Sequence, residues 1–253
     1  MKKQSLILWI GSIVIVFVIS YLNKITSAEY PVTGTIGIEG KKVSYRFQKI
    51  NYGNNDYTFE IRTDLDSLEG KYYYKNPNSE VWQSEHLKSK GFLLVGTLPK
   101  QKPETSLEYY AELNAKDRAL VIPDSKKVTI TFFGKIPIVI DVLQFILMYA
   151  GLMLAVRAGL ESFNNNITTK KIAVMFLIIF LTLNALINPL YLTYKYGFIN
   201  NTIPSIERLF DPAVFMIFIL WIVTTILLFT RPKLKYTSLV SAVLTLLIFY
   251  FLN

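Results

Sequence analysis

The chain has no cysteine and a single histidine, His86, in 253 residues. No disulfide, thiolate metal site or cysteine nucleophile can therefore form. A multi-histidine metal or haem centre cannot be built within one copy. Clustered charge of one sign is also scarce in the polar part of the chain. The formal net charge is +9, yet residues 23–135 hold 17 Lys/Arg against 14 Asp/Glu. The remaining basic excess lies beside hydrophobic runs, which reads as a topology signal and not as a nucleic-acid surface. No phosphate-binding loop, nucleophile–base pair or paired-acid site stands out. The chain is accordingly read as non-enzymatic, with no cofactor and no metal site.

What is abundant is apolar length. Hydrophobic residues make up 52% of the chain, which favours a membrane protein. The organising stretch is residues 136–161, IPIVIDVLQFILMYAGLMLAVRAGLE. It holds about 18 apolar or near-apolar residues, enough to cross a ~30 Å hydrocarbon core at ~1.5 Å per residue. At the N-terminus, Lys2 and Lys3 precede an apolar run over residues 6–22, and Thr26-Ser27-Ala28 resembles a cleavage site. The run exceeds the ~7–15 residues of a signal-peptide core, so an uncleaved signal anchor over 1–28 is favoured over a cleaved peptide. Either way the domain that follows is exported. Further apolar runs at 172–192, 213–229 and 237–252 complete a four-helix membrane domain over 136–253. Lys2, Lys3, Arg157, Lys170, Lys171, Arg231, Lys233 and Lys235 gather on one side of this layout. The positive-inside rule then puts the N-terminus in the cytoplasm, and the β-domain and C-terminus outside a bacterial inner membrane. Counting the anchor, five spans are expected.

Residues 29–135 have a different pattern. Runs rich in Tyr, Val, Ile, Phe and Thr occur at 43–47, 57–62, 71–75, 92–98, 107–113, 119–122 and 128–133. Turn chemistry interrupts them at 51–56, 64–70, 76–78, 88–91, 99–103, 114–118 and 123–126. Seven strands in about 105 residues predict an antiparallel β-sandwich. Tyr72, Tyr73, Tyr74, Trp82, Tyr109 and Tyr110 could form an aromatic face for sugar or peptide. Adjacent tyrosines in a strand point to opposite sides, however, so core packing for one set and plain sheet surface for the other is favoured. His86 is expected to be solvated in a polar turn.

The stretches Gly70-Lys-Tyr-Tyr-Tyr-Lys, Glu80-Val-Trp82, Phe92-Leu-Leu-Val-Gly-Thr-Leu-Pro99 and Leu107-Glu-Tyr-Tyr-Ala-Glu resemble immunoglobulin/fibronectin-like modules of bacterial exported proteins. That resemblance implies an Ig-like sandwich and no particular activity. A second likeness rests on Arg157-Ala-Gly-Leu-Glu161, the basic loop after it, Tyr194-Lys-Tyr-Gly-Phe198 and Leu209-Phe-Asp211. These motifs resemble a group of bacterial multi-pass membrane proteins that join an exported Ig-like domain to a four-helix membrane region. Members of that group often carry a histidine in the second span. Here the corresponding position is Gln144, so a histidine-dependent cofactor is not expected.

Two polar sets lie within the apolar runs. Asp141 and Gln144 sit near one end of the 136–161 stretch, and Asn184 and Asn188 reach similar depth from the next run. A carboxylate in hydrocarbon is costly, so Asp141 is expected to face the bundle, paired with Asn188 or with groups of the outer loop at 193–211, as a helix clamp. The alternatives are an ion, proton or solute site, and simple exposure at the interface. Asn188-Pro189 is expected to end or kink its helix. Arg157 and Glu161, four apart, are expected as a surface pair with Arg157 snorkelling to headgroups. The alternative for that pair is a cytoplasmic-side anchor point for a ligand or partner. The leading functional reading is a scaffold or accessory subunit in the lipid bilayer, whose exported domain binds or positions a protein partner of the envelope. The alternative is a small-solute or ion transporter using Asp141, Gln144, Asn184 and Asn188.

Overall fold

The computed structural model describes residues 2–38, 40–65, 68–115, 118–124, 127–164, 166–197, 206–234 and 236–252. The elements are α1 (Lys2–Thr26), β1 (Val32–Ile38), β2 (Lys41–Phe47), β3 (Ile50–Tyr52), β4 (Tyr57–Thr63), β5 (Glu69–Lys75), β6 (Gln83–His86), β7 (Lys88–Lys90), β8 (Leu93–Leu98), β9 (Ser106–Ala115), β10 (Arg118–Ile122) and β11 (Val128–Phe133). They continue with α2 (Ile138–Glu161), α3 (Asn166–Thr182), a π turn (Leu183–Ile187), α4 (Asn188–Lys195), α5 (Ile206–Leu209), α6 (Pro212–Thr230), a 3-10 turn (Pro232–Leu234) and α7 (Thr237–Leu252). The chain divides into a β unit, Ala28–Lys135 with Lys195–Gly197, and a helical unit formed by α1 and the helices from α2 onward.

In the β unit two sheets share one core. The first runs β1-β2-β4-β8-β7 and the second β3-β11-β9-β5-β6, with β10 also on β9. All pairings are antiparallel except β3 with β11. Along β4, Tyr57, Phe59, Ile61 and Thr63 are buried while Thr58, Glu60 and Arg62 are exposed. This two-residue period is what one buried face requires. The inward aromatics meet in a tight set, with Phe59 5.5 Å from both Tyr72 and Tyr109. Each such ring removed from water contributes about 1.5–3 kcal/mol. Gly34 of β1 has the Tyr45 ring where a Cβ would stand, so a larger residue would displace that ring.

All seven strands expected from the sequence are present, and four more accompany them. β1 has glycines at 34 and 37, which blur the strand pattern. β3 and β7 occupy part of the expected turns at 51–56 and 88–91. His86 lies in β6 and not in a turn; β6 and β7 are short, exposed and polar, as protected sheet edges are. The expected turn residues 66–67, 116–117 and 125–126 lie outside the described residues. Lys195–Gly197 belongs to the β unit: Gly134 N donates to Lys195 O at 2.7 Å, and Lys195 Nζ stands 4.8 Å from the Phe133 ring.

The helical unit has a core of its own, built around Phe176, Phe180, Trp221 and Leu152. α2 packs against α1, α3 and α7, and α6 packs against α3 and α7. Gly151 lets the Phe180 ring approach α2, and at Gly159 an added Cβ would meet Ala242 Cβ at 2.7 Å. Asp211 caps α6 as its sequence position suggests, with Oδ1 accepting from Ala213 N (2.9 Å) and Val214 N (3.1 Å). Four helices are long and apolar enough to cross a membrane: Lys3–Thr26, Ile138–Glu161, Thr168–Lys195 and Pro212–Thr230. The fifth apolar helix, Thr237–Leu252, has 16 residues, or about 24 Å of rise, and falls short of that length. Lys235 and residues 198–205 lie outside the described residues.

Candidate functional site

The structure separates the four polar residues expected to act together. Asp141 is exposed in the first turn of α2, where the positive end of the helix dipole favours a carboxylate. It does not pair with Asn188, whose Nδ2 has no hydrogen-bond partner among the described residues. The outer-loop partners at 198–205 lie outside the described residues. Asp141 sits about 5 Å of rise from the helix start, within reach of an interface. Gln144 is half-buried, whereas Asn184 and Asn188 are buried. The contact between Gly151 and Phe180 sets the register of the antiparallel pair α2 and α3. The π turn that carries Asn184 also packs on α2.

Pro189 explains the local backbone. A proline has no N–H, and in a regular helix its ring crowds the carbonyl four residues back. The π turn over Leu183–Ile187 precedes it, with Asn188 N donating to Leu183 O. This wider turn lets the helix continue through Pro189 to Lys195 instead of ending there. Asn184 Nδ2 donates to Phe180 O at 2.9 Å, which leaves Asn184 Oδ1 and Asn188 Nδ2 buried and unpaired among the described residues. An acceptor and a donor one turn apart can hold a water or one small polar group between them.

Arg157 and Glu161 are not a surface pair. They are 2% and 6% exposed and directly ion-paired. Arg157 Nη2 donates to Ser5 Oγ at 3.4 Å, and its guanidinium lies 5.7 Å from the Trp9 ring. The pair thus ties α2 to α1. Snorkelling fails here because both carriers of the polar groups lie on the packed side of α2, among Leu154, Ala155 and Ala158. Close by, Trp221 Nε1 donates to Thr245 Oγ1 (2.8 Å), and Thr224 and Ser241 hydroxyls meet at 2.5 Å, linking α6 to α7. Trp221 thus both packs in the core and bonds across it, and no local sequence signal marks that bond.

In the β unit the aromatic residues split by strand alternation. Tyr72, Tyr74 and Tyr109 enter the core, where burial raises all three phenol pKa values. Tyr72 Oη lies 2.6 Å from Glu85 Oε2 and 2.7 Å from Thr97 O. Tyr73 and Tyr110 stand on the opposite face and stack at 4.9 Å. On the other sheet, β2 and β4 pair only from Val43↔Thr63 to Tyr45↔Ile61 and then diverge. The gap is a groove of about 590 Å³ lined by Arg46, Glu60 and Arg62, with Tyr57 and Phe59 among its other walls. Among the described residues no group of three His, Asp or Glu side chains could hold a metal ion.

No family model matches the chain, and no curated protein matches it. A solved structure titled "Crystal structure of Br derivative BhCBM56" is similar over 42% of this chain and 95% of its own, at 10% identity and a TM-score of 0.26.

Proposed function

We propose that the protein is a non-enzymatic, multi-pass component of a bacterial inner membrane, whose exported Ig-like β unit binds or positions a protein partner of the envelope. The observation that carries this reading is the edge formed by β1. It ends its sheet, is seven residues long, and reads VTGTIGI, with no charge and no proline. The other sheet ends are shorter: β7 is three residues with two lysines, β3 is three residues, β6 carries Glu85 and His86, and β10, paired only with β9, is five residues and begins with Arg118. A long uncharged edge is a template for an added strand, so the partner is expected to contribute an extended segment. Orientation follows the basic residues, with the N-terminus inside.

The contacts of α1 support a retained signal anchor. Arg157 leans on Ser5 and Trp9, Ser12 and Val16 are buried, and Asn23 Nδ2 donates to the terminal carbonyls of α7 at Phe249 (3.2 Å) and Tyr250 (3.1 Å). Cleavage would strip these groups of their partners. The transport alternative rests on the buried amides of Asn184 and Asn188, without Asp141.

The test is a double substitution, Thr33→Lys with Thr35→Lys, both at exposed positions of β1. Full-length protein is cross-linked in native membranes, purified and its companions identified by mass spectrometry. A companion captured by the unaltered chain and lost from the variant, at equal abundance, supports the reading. Retention of every companion by the variant, or a chain that purifies alone, rejects it.

A further inference from the structure

Trp82 precedes β6 and lies across β5 on the outer face of its sheet. Its ring meets Tyr110 at 5.0 Å and 72°, so the two aromatic planes form a corner. Tyr73 backs that corner by stacking on Tyr110 at 11°. Beneath the indole is Lys75, with Nζ 5.2 Å from the ring and the side chain 16% exposed. Lys75 therefore takes one indole face, while Trp82 as a whole stays half-exposed.

The corner is held by its surroundings. Lys75 Nζ donates to Ser79 O at 2.8 Å, Ser79 N to Asn76 O at 2.9 Å, and Val81 N to Ser79 Oγ at 3.2 Å. This braces the turn that delivers Trp82. A fixed aromatic surface loses little conformational entropy on binding.

Charge narrows the ligand. Glu108 pairs with Lys127 at 2.7 Å and stands 3.6 Å from Lys75. Lys71 and Glu112 face each other in register across β5 and β9. Three lysines, Lys71, Lys75 and Lys127, thus stand against two carboxylates, and each carboxylate has a lysine beside it. An anionic ligand would find Lys75 and Lys127 already engaged by Glu108. A cationic one would meet Lys75 already on the indole. An apolar peptide side chain would leave the flanking polar groups without partners. A pyranose fits these constraints: its C–H face can stack on the exposed part of the indole, and its hydroxyls can bond to the Tyr73 hydroxyl and the Glu112 carboxylate, which already bond to each other. The shallow, open position on a sheet face suits units within a chain more than one enclosed sugar.

We propose that the Trp82–Tyr110–Tyr73 corner is a binding site for neutral polysaccharide. It is independent of the β1 edge, and it can be tested whichever way the protein is oriented in its membrane. The probes are neutral hexasaccharides of glucose and of N-acetylglucosamine, titrated into full-length protein in nanodiscs. Tryptophan fluorescence and calorimetry give the readout. Saturable binding with Kd on the order of 1 mM or tighter is expected for at least one probe. Trp82→Ala should weaken it at least ~10-fold and Glu112→Gln by a smaller factor, with unchanged circular dichroism. Substitutions in β1 should leave it intact. Three outcomes overturn the proposal: no saturable binding by either probe, equal binding by Trp82→Ala, or tighter binding of an anionic hexasaccharide.

Discussion

A buried charge pair has an asymmetric energetic logic, and Arg157 with Glu161 is the place to measure it. Both are almost fully removed from solvent, and Arg157 Nε has no partner. Desolvating two charges offsets most of their attraction, so the pair as a whole adds little stability. Removing one partner leaves the other charge buried and alone. Arg157→Met should therefore destabilise the helical unit by about 3–5 kcal/mol, and Glu161→Leu by a similar amount. The double substitution should recover most of the loss. Thermal unfolding of the purified protein in detergent, with all four members of the cycle, checks this. Additive losses in the double variant would show that the side chains act separately.

Elements carry the next set of consequences. If α1 is part of the bundle, the mature protein must retain it. Intact-mass measurement of protein purified from native membranes should give the full chain, near 29.1 kDa, and Asn23→Ala should lower its melting temperature by loosening α7. A mature chain beginning near Ala28 would reject the anchor. The long helices were legible because each is an apolar run long enough to cross a membrane, and the alternating strands because one buried face imposes a period of two. β1 was not, since Gly34 is there for the Tyr45 ring and not for strand propensity. β6 and β7 read as turns because edges avoid the apolar pattern that reveals interior strands. At the candidate site, the burial of Arg157 and Glu161 and the exposure of Asp141 depend on how α2 is rotated in its bundle. Polar residues at both ends of one apolar helix do not encode that rotation. Nor does Asn188-Pro189 disclose that a π turn will carry the helix onward.

The molecule as a whole has two separate hydrophobic cores, so two unfolding transitions with different pH responses are expected. The core of the β unit contains Tyr57, Tyr72 and Tyr109, whose pKa values burial holds above the ordinary value near ~10. Below that value each phenol is neutral in both folded and unfolded chains, and its full contribution to stability is present. Above it the unfolded chain ionises while the folded core resists, so stability is lost as pH rises. Glu108 acts in the opposite direction. Its hydrogen bond from Lys127 holds its pKa below the usual carboxylate range, so its contribution fades as pH falls below ~4. The β-unit transition, followed by tyrosine absorbance in a thermal scan, should thus move to lower temperature above pH ~10. The helical transition, followed by Trp221 fluorescence in a Trp9→Phe, Trp82→Phe background, has no buried tyrosine core to ionise and should move less. Tyr72→Phe should make the alkaline loss shallower, since it deletes one of the buried phenols, which also include Tyr45 and Tyr74. Equal shifts of both transitions, or an unchanged slope in Tyr72→Phe, would show that alkaline instability arises elsewhere than in the tyrosine core.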